Sequence, residues 1–170
     1  MTKYSSTSSA NFTAYFTARG VDVSAYNDTS IDAALLVASE WIDRIYGSLF
    51  IGMKTDGYTQ TREWPRENAV IQKIPSYIFA DNEIPDQITN AVYEAAYRQL
   101  VNPGCLSLDY TPNKYNRVSI HGATSVDYKN INFASEIQST FPIIEQLLSD
   151  LFLPENSGVS SIYSSTASRV

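Results

Sequence analysis

Apolar side chains recur at steps of three and four between Ser30 and Leu49, where Leu35, Ala38, Ile42, Ile45 and Leu49 share one helical face. Ser30 suits the N-cap and Asp32 the first turn. Trp41 and Tyr46 widen the apolar stripe, Glu40, Asp43 and Arg44 mark the wetter face, and Gly47 and Gly52 bracket the end. A second helix starts at Pro85-Asp86 and carries Ile88, Ala91, Val92, Ala95, Ala96, Gln99 and Leu100 before Asn102-Pro103-Gly104 stops it. Its small residues permit close approach, so the pattern predicts that it lies directly on the first. A third helix is expected from Pro142 to Phe152, closed by Pro154, and a short one from Ser9 to Arg19, ended by Gly20, with Phe12, Tyr15 and Phe16 turned to the core.

Between these helices the periodicity changes. Met53 to Ile74 contains Gly57 and Pro65 and reads as an ordered loop. From Lys114 to Tyr128 the period falls to two, with Tyr115, Arg117 and Ser119 alternating with Val118 and Ile120 about a turn at Gly122, which predicts a hairpin or extended arm. The expected fold is mainly α: a small helical bundle with a short β-hairpin or arm and a flexible C-terminal tail. Its layout is a flexible segment 1–8, a helical domain 9–153 with the arm at about 106–135, and a tail 154–170 in which Ile162 and Tyr163 are the only anchors.

Length and composition fit this picture, since 170 residues with 44% hydrophobic side chains can bury one core. The charge of −6, with 12 basic and 18 acidic side chains, argues against a general phosphate-binding surface, and no basic stripe stands out. The single cysteine, Cys105, excludes an intrachain disulfide framework and reads as a buried free thiol. Met1 to Phe12 is hydroxyl-rich without the apolar centre of a signal peptide, and no apolar run is long enough to span a bilayer. A soluble intracellular protein is therefore expected.

Catalytic chemistry is difficult to assemble. His121 is the only histidine and adjoins a turn glycine, where a solvated role is favoured over a general base. Neither it nor Cys105 has a setting that would depress a thiol pKa. Asp81, Glu83 and Asp86 cluster before the second helix, and helix capping accounts for them more simply than a metal. No glycine-rich phosphate loop is present. The chain is expected to be neither an enzyme nor a cofactor binder. Its 12 tyrosines could stack on bases, but Tyr93 and Tyr97, one helical turn apart on an acidic protein, favour packing or a protein contact.

The remaining signal is the run Gln60-Thr61-Arg62-Glu63-Trp64-Pro65-Arg66. Proline biases the residue before it toward extended conformations, so this loop is built to hold one non-helical shape. Two readings stand. In the first, Trp64 fills the groove between helices and Arg66 pairs with Glu40 or Asp43, so that Gln60, Trp64, Pro65 and Arg66 act as a structural clamp. In the second, the same residues anchor a subunit interface.

Taken together, Ala38-Ser39-Glu40-Trp41-Ile42-Asp43-Arg44-Ile45-Tyr46, Phe50-Ile51-Gly52, Gln60, Trp64-Pro65-Arg66 and Ile84-Pro85 before an alanine-rich helix resemble a family of tailed-phage head-to-tail adaptor, or neck, proteins, over roughly residues 10–105. Members are often labelled DnaT-like single-stranded-DNA-binding proteins, a label the acidic charge does not favour. Arg62 departs from the family pattern, which prefers an aliphatic residue there. The resemblance implies a virion structural protein forming a dodecameric ring between the portal and a tail or tail-completion protein, with double-stranded DNA passing through its lumen without specific binding. It also implies assembly in the host cytoplasm and no membrane association. The arm and the tail, through Tyr115, Arg117, Ile162 and Tyr163, are expected to meet the portal or a neighbouring subunit. The alternative is a replication accessory protein that binds single-stranded nucleic acid.

Overall fold

The computed structural model describes residues 2–71, 76–106 and 141–154, together with the backbone of two strands at 117–118 and 126–127. The architecture is mainly α: α1 (Ser9–Thr17), α2 (Asp28–Tyr46), α3 (Asp86–Val101) and α4 (Pro142–Leu148). Among the described residues, six two-residue strands form three antiparallel pairs: β1 (Met53–Lys54) with β2 (Arg66–Glu67), β3 (Val70–Ile71) with β4 (Tyr77–Ile78), and β5 (Arg117–Val118) with β6 (Val126–Asp127). The helices fall where the periodicity puts them, but their ends shift. The N-cap of α2 is Asn27, whose side chain accepts from the Ser30 amide, so Ser30 lies inside the helix. Helix α1 stops at Thr17, and α4 gives way after Leu148 to a 3-10 turn over Ser149–Leu151.

The core lies where α2 and α3 face each other. Ile31, Leu35, Ala38 and Ile42 of α2 and Ile88, Ala91, Val92, Ala95 and Ala96 of α3 are all buried. The alanines bring the two backbones close, because each removes a side chain that would hold the helices apart. Helix α1 adds Phe12 and Phe16, and α4 adds Ile144 and Leu148. Tyr93 packs against Phe12 and Tyr15, and Tyr97 against Phe16, so these two tyrosines serve packing, as expected. The polar segment before α1 is also engaged: Tyr4 is buried, and the Ser6 and Thr89 hydroxyls are 2.7 Å apart.

The stretch expected as a loop, Met53 to Ile74, contains the paired strands β1, β2 and β3 within its described residues. Two-residue strands carry no period-two pattern of their own, which is why the spacing of apolar residues does not reveal them. The segment after α4 returns to this layer. Phe50 and Phe152 form an antiparallel bridge, the Ile51 amide donates to the Leu151 carbonyl (2.9 Å), and the Leu153 amide donates to the Leu49 carbonyl (2.8 Å).

Gly52 is the backbone position on which this layer turns. Its φ is +74°, and a Cβ there would lie 2.5 Å from the Glu67 carbonyl oxygen and 3.0 Å from Ala69. Gly20 has a similar φ of +73° but open space around it. Both substitutions to alanine incur left-handed strain of about 1 kcal/mol, and only Gly52→Ala adds a backbone clash. Urea unfolding should therefore show Gly52→Ala to be the more destabilising by at least about 1 kcal/mol; equal losses would refute the clash.

Candidate functional site

The run from Gln60 to Arg66 links β1 to β2 and is held from within. The Gln60 side-chain amide donates to the carbonyls of Arg62 and Pro65 (both 2.8 Å) and accepts from the Asp56 amide (3.1 Å), closing the loop across its base. The Trp64-Pro65 peptide is cis. Trp64 is 1% exposed, edge-on to Phe50 (ring centroids 6.0 Å) and Phe79 (5.5 Å). It thus seals the layer between the end of α2 and the connection into α3, whereas the sequence reading put it in the groove between the helices.

Arg66 is buried in β2. Its Nη1 donates to the Gly47 carbonyl (3.2 Å) and to Glu63 Oε2 (3.1 Å), and its Nη2 donates to the Gly52 carbonyl (3.0 Å). Burial pulls its pKa below the ordinary guanidinium value, against the opposing pull of Glu63. The expected pairing of Arg66 with Glu40 or Asp43 is not made, because strand register places Arg66 opposite Lys54, beside the end of α2. Arg62 takes those partners instead, with Nη1 3.1 Å from Asp43 and Nη2 3.7 Å from Glu40. It also donates through Nε to the Thr2 carbonyl. Arg62 therefore ties the N-terminal segment to α2.

Asp43 also accepts from the Tyr4 hydroxyl. Burial raises the Asp43 pKa, outweighing the hydrogen bonds from Tyr4 and Arg62 that act to lower it. The chemistry of this centre is satisfaction of buried charge. It offers no open nucleophile or base, and among the described residues no group of three or more metal-ligating side chains occurs. Cys105 is half-buried with its pKa raised by burial, unsuited to nucleophilic work. No described helix is long and apolar enough to cross a membrane.

Gln60, Trp64, Pro65 and Arg66 are thus brought together. Arg117 lies in β5, and Tyr115, His121, Ile162 and Tyr163 fall outside the described residues. Sequence reasoning missed the exposed apolar residues of the strand layer: Met53, Tyr77, Ile78 and above all Tyr58, which is fully exposed beside Gly57. Their signal was weak, since one aromatic next to a glycine in a polar loop has no period. It also missed how fully the cations are engaged. Lys3 pairs with Asp32, Lys54 with Glu63 (2.8 Å) and Arg98 with Glu94 (2.8 Å). Arg19 donates to the Tyr15 carbonyl (3.0 Å) and lies over its ring, and Arg44 donates to the Leu106 carbonyl (3.2 Å).

A family model described as "Putative DnaT-like ssDNA binding protein" matches residues 4–170. No curated protein and no solved structure matches the chain. The match overturns the expectation of a virion head-to-tail adaptor on the portal, because the family description names single-stranded DNA binding. The adaptor expectation rested on the resemblance of motifs, and the single-strand-binding label was set aside on net charge, which averages over the whole chain and so says little about any one segment.

Two outcomes test this centre. Arg66→Lys cannot reproduce a fork that reaches two carbonyls and a carboxylate, and should lose on the order of 3 kcal/mol in chemical denaturation; Lys54→Ala, at a partly exposed pair, should lose less than about 1 kcal/mol. Equal losses would show that Arg66 acts only as a surface charge. The second outcome is alkaline. Burial and Glu145 push the Tyr46 hydroxyl up to about 12, and burial and Asp43 push Tyr4 up as well. Folding therefore holds these protons above the unfolded value of about 10. Their contribution is complete below that pH and is lost as pH rises toward 12, so tyrosinate absorbance and loss of helical circular dichroism should rise together in that window.

Proposed function

The chain belongs to the family of DnaT-like ssDNA-binding proteins, and on that premise we propose that it binds single-stranded nucleic acid in an accessory role, without catalysis. The family match over residues 4–170 carries this reading. The distribution of charge narrows where such binding would occur. Every lysine and arginine at a position with a described side chain is engaged within the fold, by the contacts given above. The remaining cations are Lys73, Lys114, Arg117, Lys129 and Arg169. Three of them fall within residues 113–130, alongside Tyr115 and Tyr128 and with Asp127 as the one acidic residue of that span.

This span contains β5 and β6, an antiparallel pair with Arg117 opposite Asp127 and Val118 opposite Val126. Cations close in sequence to tyrosines are the composition that single-strand binding uses, with phosphates neutralised and bases stacked on rings. A chain that is acidic overall keeps such contact local, because the rest of its surface repels the backbone.

Fluorescence anisotropy with a labelled oligothymidylate at several salt concentrations tests the proposal. Three phosphate contacts give a slope of log K against log salt of about −2, far shallower than that of a protein coated in lysine. Replacing Lys114, Arg117 and Lys129 together by alanine should abolish both the binding and its salt dependence. Absence of binding by the unaltered protein at low salt would refute the function. Binding unchanged in the triple variant would refute its location.

A further inference from the structure

The exposed apolar residues of the strand layer border an open groove of about 610 Å³ at the start of α3. Its apolar wall is Ile71, Tyr77, Phe79 and Ile84, and its polar residues include Glu83 and Asp86. Tyr77 is half exposed and Ile78 beside it is 69% exposed, so large apolar side chains project at the rim. Among the described residues, no lysine or arginine lines the groove. We propose that this groove docks a partner protein through a segment in which an arginine or lysine stands next to large aliphatic side chains.

The groove is preorganised for such a segment. Glu83 accepts from the Tyr77 hydroxyl (3.2 and 3.3 Å) and from the Ala80 amide (3.1 Å), which fixes the ring of Tyr77 and the turn from Ala80 to Glu83 in one arrangement. Tyr77 is further held edge-on to Phe79 (4.9 Å). The same turn is tied to the loop that presents Tyr58, since the Thr55 hydroxyl donates to the Asp81 carbonyl (2.8 Å). A rim fixed before binding has little order left to gain, so its apolar area translates into affinity more fully than that of a loose loop.

Charge selects the occupant. Aliphatic side chains fit the wall of Ile71, Phe79 and Ile84, and a cation meets Glu83 and Asp86. Asp86 has no hydrogen bond or ion pair with another described residue and is exposed, so it is available to a partner. Nucleic acid is disfavoured on this face because its phosphates would meet these carboxylates with no cation among the described lining residues. A second copy of this chain is disfavoured by the repulsion of two bodies each carrying −6. None of the groove's lining residues is among the cations assigned to single-strand binding.

The test uses the full chain and a short labelled peptide in which arginine alternates with leucine, with a glutamate-leucine peptide of equal length as comparison. The arginine peptide should bind and the glutamate peptide should not. Tyr77→Ala and Asp86→Asn should each weaken the arginine peptide about tenfold. Ile143→Ala, an exposed position on α4, should leave it unchanged. Because Asp86→Asn alters one exposed charge, it keeps the question open to an answer even if Tyr77→Ala disturbs the fold. Equal binding of both peptides, or no effect of Asp86→Asn, overturns the proposal. Two further results would also overturn it by assigning the groove elsewhere: loss of oligothymidylate binding in Tyr77→Ala, or self-association in sedimentation that Tyr77→Ala abolishes. Oligothymidylate binding intact in both variants separates this surface from the nucleic-acid reading.

Discussion

The fold depends on one guanidinium. Arg66 lies where α2 ends and the strand layer begins, and it reaches the carbonyl of Gly47 on one side and of Gly52 on the other, while Glu63 balances its charge. Carbonyls at a helix end need donors, and a buried cation needs acceptors; each requirement answers the other. The constraint propagates outward. With Gly47 and Gly52 fixed, Phe50 and Ile51 between them are held against Trp64 and against the segment after α4. Close packing at Gly47, where a Cβ would lie 2.8 Å from the Glu63 side chain, keeps that carboxylate beside its arginine.

A second arginine repeats the logic one step away. Arg62 joins the N-terminal segment to α2 through Thr2, Asp43 and Glu40, with the Tyr4 ring beneath it. The two arginines in the most distinctive stretch of the sequence thus hold the fold together. This explains how an acidic protein can belong to a single-strand-binding family without a conspicuous basic face. Its described cations stabilise the domain, and three of the remaining five fall within residues 113–130.

The helices were legible because each buries one face of a regular period, and the alanine-rich stripe of α3 also announced its close approach to α2. The importance of Trp64-Pro65-Arg66 was legible too, from residue types that cannot sit idle in a loop. Its wiring was not. Arg62 and Arg66 are four residues apart in a chain that reverses between them, and nothing in their spacing says which one faces α2 and which faces the helix end. The two-residue strands were hidden for a related reason: their pairing is set by Gly52 and by the loop's own hydrogen bonds, not by alternation. The function was misjudged because motifs that fix a fold were taken to fix an assembly role, and a whole-chain charge was set against the single-strand-binding alternative.

The bridge between Phe50 and Phe152 ties residues 49–51 to residues 151–153, across about a hundred positions of chain. The strand layer that Arg66 organises therefore lacks this neighbour until residues 151–153 have emerged from the ribosome. During synthesis α1, α2 and α3 can associate first, with the edge at Phe50 uncovered and Leu148 and Leu151 still to come. The pair of phenylalanines acts as the closing seam of this domain.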